Sequence, residues 1–96
     1  MYLISYDIAG DKLRNKVAKK LEGYGHRVQY SVFECDISNK EYGKLYAELI
    51  KLVMKEPEVS IRIYPLDKDV YSKLTIIGNP EFSLIHKIPE DNVIFI

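Results

Sequence analysis

Polar and apolar residues alternate along the first eight positions, which is the pattern of a strand with one buried face. The buried face would carry Tyr2, Ile4, Tyr6 and Ile8. The opposite face would carry Leu3, Ser5 and Asp7. A turn over residues 9–11 follows, and Asp11 is a residue type that favours the N-cap of a helix. The pattern therefore predicts a strand over 1–8 that leads directly into a helix.

Two stretches carry apolar residues at helical spacing. The first helix is predicted over residues 12–24, and Gly23 and Gly25 supply its stop signal. The second begins at a capping box formed by Ser38 and Glu41, and its apolar positions continue to residue 53, before a proline at 57. Both helices present one apolar face and would cover the same buried surface.

The remaining apolar segments predict strands. Residues 27–36 and 59–66 alternate, whereas 74–78 and 92–96 are short apolar runs. In the segment 27–36 we expect the apolar residues at 28, 30 and 32 to face the helices, which puts Phe33 and Cys35 on the opposite face. This segment must supply either two strands or one long bent strand. Residues 67–74 are expected to form a loop or a short helical turn.

This order of elements predicts an α+β fold, a ferredoxin-like sandwich with two helices on one face of an antiparallel sheet. We expect one domain over 1–96, with its core over 1–78 and an irregular tail over 79–96. A short apolar strand at a terminus is poorly ordered unless it is tied down. We therefore expect residues 92–96 to add to the sheet of a partner subunit in a homodimer.

Composition and charge exclude only a few classes of function. The 14 Lys and Arg residues balance 14 Asp and Glu residues, so net charge gives no argument for nucleic-acid binding. The one cysteine excludes a disulfide framework within the chain and fits a reducing compartment. No apolar run approaches the ~20 residues of a membrane span, and the N-terminus lacks the basic region of a secretory signal. We expect a cytoplasmic protein with no membrane partner.

The face of the sheet opposite the helices carries the candidate chemistry. It mixes apolar groups with hydroxyls, a carboxylate and an arginine, which is typical of a subunit interface with a polar rim. Asp7, at the end of the first strand, offers the oxygen ligands that Mg²⁺ and Mn²⁺ prefer, and a two-fold axis beside it would bring two copies together. The alternative is a structural carboxylate that caps a turn or pairs with Arg62.

Five further residues are candidates for nucleic-acid contacts. Arg62 can hold a phosphate in a bidentate fork, or it can form an ion pair. Ser31 and Phe33 can line a cleft for a single strand, with Phe33 stacking on a base, or Phe33 can belong to an interface core. The basic first helix, with Arg14 and Lys16, can follow a phosphate backbone, or it can be an ordinary solvated face.

Four segments taken together resemble a known family. They are YDI at 6–8, RNKVAKKL at 14–21, GHRVQYSVFEC at 25–35 and RIYPL at 62–66. In this order and spacing, over residues 1–66, they resemble the CRISPR-associated endoribonuclease family. That family is the small subunit of the complex that acquires CRISPR spacers.

The resemblance implies a ferredoxin-like homodimer that lies between two dimers of a CRISPR-associated integrase and holds prespacer DNA. Some members of the family resemble metal-dependent nucleases that act on single-stranded RNA or duplex DNA. By this resemblance Asp7 is the catalytic residue and the ligand of Mg²⁺ or Mn²⁺. The other matching positions around the cleft are Arg14, Ser31, Phe33 and Arg62. Many relatives carry further acidic residues after the first strand, where this chain has only Asp11.

Three functions compete at this point. The first is a CRISPR adaptation protein that is also a metal-dependent endonuclease, in which Asp7 is essential for cleavage. The second is a scaffold that bridges integrase dimers and prespacer DNA without cutting, in which Asp7 is dispensable. The third is a small-molecule sensing module, against which the chain offers no glycine-rich effector loop. An Asp7→Asn substitution separates the first two.

Overall fold

A computed structural model describes residues 1–78 and 93–94 of the chain. The elements in chain order are β1 (Tyr2–Ile8), α1 (Asp11–Glu22), β2 (His26–Gln29), β3 (Val32–Cys35), α2 (Asn39–Val53), β4 (Val59–Pro65), α3 (Lys68–Ser72), β5 (Ile76–Ile77) and β6 (Val93–Ile94). The predicted helices and the strands over 1–8 and 59–66 are confirmed. The segment 27–36 supplies two strands, β2 and β3, and not one long bent strand. The first of the two predicted alternatives is therefore confirmed.

The main sheet has four antiparallel strands in the order β2-β3-β1-β4. The β1–β4 pair is its longest ladder and runs from Tyr2 opposite Pro65 to Ile8 opposite Val59. β5 and β6 form a separate two-stranded parallel pair. β2 is therefore the fourth strand of the main sheet, and the strand predicted in the segment 74–78 forms β5 of the separate pair. The predicted α+β, ferredoxin-like architecture is confirmed.

One apolar core lies between α1, α2 and the sheet. Its fully or nearly buried members are Ile4, Tyr6, Ile8, Val17, Ala18, Leu21, Phe33, Cys35, Leu45 and Leu49. The face of the sheet that touches this core is called the inner face below, and the opposite face is called the outer face. Alternation in β1 is as predicted, since Ile4, Tyr6 and Ile8 face inward and Asp7 is exposed.

The predicted orientation of β3 is wrong. Phe33 lies opposite Ile4 in the ladder with β1, and Cys35 lies opposite Tyr2. Residues that are directly opposite in paired strands share a face, so both side chains point into the core, where each is 0% exposed. Apolar residues occupy both faces of this short strand, so periodicity alone favours neither orientation. The register with β1 decides it.

The starts of the two long helices differ in how they are capped. Ser38 Oγ accepts a 3.1 Å hydrogen bond from the Glu41 backbone N–H, and Glu41 Oε1 accepts one of 3.2 Å from the Ser38 backbone, which confirms the capping box. Asp11, however, is not the N-cap of α1. Gly10 takes that position and offers no side-chain bond, and Asp11 lies in the first helical turn.

The end of the chain is described only in part. Val93–Ile94 forms a strand, as predicted for 92–96, and it pairs with β5 of the same chain. Addition of this strand to a partner subunit stays a prediction, as does the single domain over 1–96. The tail residues 79–92 and 95–96 lie outside the described residues. Among the helices that are described, none has the length and apolar content needed to cross a bilayer.

Candidate functional site

Asp7 is the next-to-last residue of β1 and lies exposed on the outer face. Its neighbour across the ladder is Ser60 of β4, and Arg62 lies opposite Ser5, one step further along the same face. Within the described residues, neither Asp7 nor Arg62 forms an ion pair or a side-chain hydrogen bond. Neither form of the structural alternative, a turn-capping carboxylate or an ion pair with Arg62, is therefore present among the described residues. Both charged groups are available to a ligand.

The guanidinium of Arg14 is engaged beside Asp7, in the turn between β1 and α1. Its Nε and Nη2 donate to the Ile8 carbonyl at 3.1 and 3.0 Å, and Nη2 also donates to the Ala9 carbonyl at 3.1 Å. Its Nη1 donates to Asp11 Oδ1 at 2.6 Å. This bond to Asp11 is the main cause that raises the pKa of Arg14 above its ordinary value. The residue predicted to contact phosphate is thus bonded to its own chain.

The β2–β3 turn lies against the same end of β1. The Tyr6 backbone N–H donates to the Ser31 carbonyl at 3.1 Å, and the Tyr6 hydroxyl donates to the Tyr30 carbonyl at 3.4 Å. The side chain of Tyr30 is 74% exposed, and it is close enough to Arg14 to raise the pKa of that guanidinium further. Tyr30 is therefore an exposed aromatic ring beside Arg14, whose guanidinium binds the end of β1.

Phe33 cannot serve as that ring, which corrects its predicted role. It is 0% exposed, it packs near Tyr6 with ring centroids 6.3 Å apart, and the Arg27 guanidinium lies 5.3 Å from its centroid. A base would have to enter the core to stack on it. The sequence pattern put Tyr30 on the buried face, and no glycine or proline marks the turn at 30–31, so only the fold reveals the exposed ring.

α1 carries exposed basic side chains of its own. Lys12, Lys16 and Lys19 are exposed, whereas Lys20 pairs with Glu48 of α2 at 3.4 Å. Glu48 also accepts a 3.2 Å hydrogen bond from Tyr24. An open groove between the two helices is lined by Lys16, Lys19, Lys20, Gly23, Tyr24, Glu48 and Leu52. The predicted contact residue Lys16 therefore belongs to a positively charged surface on α1.

The described residues do not form a complete protein cage for a divalent cation. They contain no group of three or more His, Cys, Asp or Glu side chains that could hold a metal ion. Mg²⁺ differs from ions that need a complete protein cage, because it keeps waters and binds through one or two carboxylates together with substrate phosphates. A lone exposed carboxylate such as Asp7 fits this mode of binding. Asp11 is bonded to Arg14 and does not join it.

A second carboxylate lies on the outer face but is buried. Glu34 is 8% exposed and accepts a 2.9 Å hydrogen bond from the Tyr71 hydroxyl of α3. Burial raises the pKa of Glu34, while the Tyr71 bond and the nearby His26 oppose that shift. Burial and the same bond raise the pKa of Tyr71 to about 12. This pair has no sequence signal, and it attaches α3 to the sheet.

Residues 1–74 match the family model for the CRISPR associated protein Cas2. This chain belongs to the Cas2 family. The resemblance seen in residues 1–66 is therefore confirmed, and the chain is a CRISPR-associated nuclease by family. The match covers every element that surrounds Asp7, from β1 through α3.

Relatives of known name resemble the chain over most of its length. The CRISPR-associated endoribonuclease Cas2 3 of Synechocystis sp. is 46% identical over 80 residues, covering 83% of this chain and 86% of the relative. The CRISPR-associated endonuclease Cas2 of Halalkalibacterium halodurans is 39% identical over 101 residues, covering 99% of each. The first of these relatives is named an endoribonuclease and the second an endonuclease.

Solved Cas2 structures share the fold. Streptococcus pyogenes Cas2 is 37% identical, with a TM-score of 0.64 over 71% of this chain and 87% of that one. A chain of a partial Cas6-RT-Cas1–Cas2 complex is 31% identical, with a TM-score of 0.67 over 92% of each chain. In that complex the Cas2 family member is assembled with Cas1.

Proposed function

We propose that this Cas2 chain acts as a homodimer that cleaves phosphodiester bonds of RNA or DNA, with Asp7 as the catalytic carboxylate of each subunit. The observation that carries the proposal is the state of Asp7. It is exposed at the end of a central strand of the sheet and unpaired within the described residues, although a charged group, Arg62, lies on the same face. An exposed carboxylate without an internal partner is free to bind a cation and a substrate.

Asp7 would hold Mg²⁺ or Mn²⁺ together with oxygen atoms of the substrate and, across a two-fold axis, Asp7 of the second subunit. When bound, such a cation polarises the scissile phosphate and lowers the pKa of an attacking water. Dimerisation is part of the proposal because the described residues of one chain hold no group of three or more side chains that could bind a metal ion, and a second Asp7 would add a carboxylate. The outer face, with exposed Tyr64 beside Leu3, is the surface that we expect the partner to cover.

Three other groups would bind the nucleic acid. Arg62 is an unpaired guanidinium on the face that carries Asp7, and it suits a phosphate in bidentate geometry. Tyr30 offers an exposed ring for stacking on a base, beside the half-buried Ser31. Lys16 and its neighbours on α1 supply positive charge. This charge attracts the phosphate backbone whatever the nucleotide sequence.

A non-cleaving scaffold is the second candidate, and one observation favours it. The exposed lysines of α1 are available for a duplex backbone without any contribution from Asp7. The proposed partner in both functions is an integrase of the Cas1 type, because a relative of the same fold is assembled with Cas1. The scaffold would bridge integrase dimers and prespacer DNA through charge alone.

The test compares wild type with Asp7→Asn on labelled single-stranded RNA and duplex DNA, in Mg²⁺, Mn²⁺ or EDTA. Asn keeps the shape of the side chain but removes the charge that holds the cation. We expect metal-dependent cleavage by wild type and none by Asp7→Asn. Binding of both substrates, measured in EDTA, should be equal for the two proteins.

Asp69→Asn is the matched control, because Asp69 is an exposed carboxylate of α3 without a side-chain bond in the described part of the chain. It should cleave like wild type. Equal cleavage by wild type and Asp7→Asn would exclude the catalytic role. No cleavage by wild type together with intact duplex binding would establish the scaffold. Light scattering tests the dimer, which should have twice the 11.2 kDa mass of one chain.

A further inference from the structure

Arg14 makes four hydrogen bonds within one turn, and its guanidinium also lies near the side chain of Tyr30. Its acceptors are the Ile8 and Ala9 carbonyls and the Asp11 carboxylate, at distances between 2.6 and 3.1 Å. All of them lie between β1 and the first turn of α1, directly after Asp7. A guanidinium has five N–H donors in a rigid fork. The four bonds use Nε, both donors of Nη2 and one of Nη1, which leaves a single N–H for any other partner.

The turn has few other attachments. Ala9 N–H donates to the Glu58 carbonyl at 3.3 Å, and Arg14 N–H donates to the Gly10 carbonyl at 3.0 Å. Gly10 gives α1 no side-chain cap, and Asp11 is exposed. The Arg14 side chain is itself only 24% exposed, so its contacts are partly protected from water. The guanidinium is thus the main side-chain link that fixes the backbone where β1 ends.

We infer that Arg14 is a positioning residue that holds Asp7 in place, rather than a residue that binds the phosphate backbone. Asp7 lies between two constraints, the ladder partner Ser60 on β4 and the Ile8 carbonyl that Arg14 grips with two N–H groups. Loss of the clamp would free the peptide that follows Asp7 and let its carboxylate move away from the reacting geometry. The inference rests on the proposed catalytic role of Asp7.

Lysine cannot replace arginine in this role. Its ammonium is a compact point charge, and it cannot span two carbonyls and a carboxylate as a planar fork does. It would nevertheless retain the positive charge that a phosphate contact requires. Arg14→Lys therefore removes the hydrogen bonds of the clamp but keeps the positive charge, so it tests the two roles separately. Lys16 serves as the contrasting position, because it is exposed on the same helix and forms no ion pair within the described residues.

The experiment measures kcat and KM for cleavage, and the salt dependence of binding to duplex DNA, for wild type, Arg14→Lys, Arg14→Ala and Lys16→Ala. A misplaced reacting group costs about 10²-fold, so we expect kcat to fall on that scale in both Arg14 variants, with KM unchanged. The slope of log K against log salt should stay at the wild-type value. In Lys16→Ala the negative slope should become shallower by about 0.9, which corresponds to the loss of one phosphate contact.

Amide hydrogen exchange supplies a readout that does not depend on cleavage. Residues 9–11 should exchange faster in Arg14→Lys than in wild type, whereas the β1–β4 ladder, which ends at Ile8, should be unchanged. Should Arg14→Ala not fold, Arg14→Lys carries the same comparison. Wild-type kcat in Arg14→Lys, or a raised KM with a reduced salt slope in either variant, would overturn the inference. If wild type does not cleave, the proposed function fails, and unchanged exchange at residues 9–11 in Arg14→Lys would separately refute the clamp.

Discussion

Tyr71 donates a 2.9 Å hydrogen bond to Glu34, although 37 residues separate them in the chain. The bond joins α3 to the outer face of β3. It also satisfies a carboxylate that is 8% exposed, and an unsatisfied group at that depth would carry a desolvation cost. α3 is only five residues long and has no buried residue, so this bond is its main attachment to the sheet.

Glu34 should make the stability of the protein depend on pH. Burial raises its folded-state pKa above the ordinary 4.5. The folded state then retains a proton that the unfolded state loses, so this stability is fully present below about pH 4.5 and is lost as pH rises through the folded pKa. Glu34→Gln does not titrate. Its unfolding free energy relative to wild type, measured in urea, should increase from pH 4 to pH 7. A difference from wild type that stays constant between pH 4 and pH 7 would contradict the raised pKa of Glu34.

Phe33 should matter for stability. Truncation of a fully buried aromatic side chain leaves a cavity and costs about 3–5 kcal/mol. We expect Phe33→Ala to lower the free energy of unfolding, measured in urea, by that amount, while Phe33→Leu should cost less because it refills part of the space. A Phe33→Leu protein that is as stable as wild type but has lost nucleic-acid binding would instead support the predicted stacking of Phe33 on a base.

Tyr30 should matter for binding. Base–aromatic stacking is worth about 1–3 kcal/mol per base. Tyr30→Ala should weaken binding of single-stranded RNA on that scale, and Tyr30→Phe should retain it because the ring is kept. Unfolding in urea should be nearly unchanged for Tyr30→Phe. Equal affinities for the Ala variant and wild type would show that the ring does not contact the strand.

Two glycines should respond in opposite ways to alanine. A Cβ at Gly25 would lie 2.7 Å from Cys35 Sγ and 2.9 Å from Cys35 Cα, and it would also meet the Glu34 backbone oxygen. Gly25→Ala should therefore destabilise the protein by about 1–3 kcal/mol or more. Gly43, in α2, has open space around it, so Gly43→Ala should stabilise the protein by about 0.5–1 kcal/mol. Chemical unfolding measures both, and the same sign for the two variants would contradict the packing at Gly25.

Cys35 should be chemically inert in the folded protein. Its thiol is 0% exposed, and burial, followed by the nearby Glu34 charge, raises its pKa to about 11. A thiol-specific disulfide reagent should react with wild type only as the protein unfolds, and at once in 8 M urea. Rapid reaction under native conditions at neutral pH would contradict this burial.

The local features of the fold were readable from the sequence because their causes are local. The capping box at Ser38 and Glu41 involves residues three apart, and the alternation of β1 depends only on its own residues. Short motifs at fixed spacing within residues 1–66 also predicted the family. The match of residues 1–74 to the family model agrees with that prediction. The candidate Asp7 was found in the same way, from its position at the end of an alternating strand.

The tertiary structure decided the features that depend on pairing between distant segments. Phe33 faces the core because it is opposite Ile4, and apolar residues on both faces of β3 gave periodicity no means to choose. Arg14 is bonded to main-chain carbonyls, which every residue carries and which therefore leave no mark in the sequence. Glu34 meets Tyr71 only because α3 folds back onto the sheet. Residue identity thus determined the candidate carboxylate, Asp7. Strand register and backbone contacts decided which residues surround Asp7 and that the ring of Tyr30 is exposed.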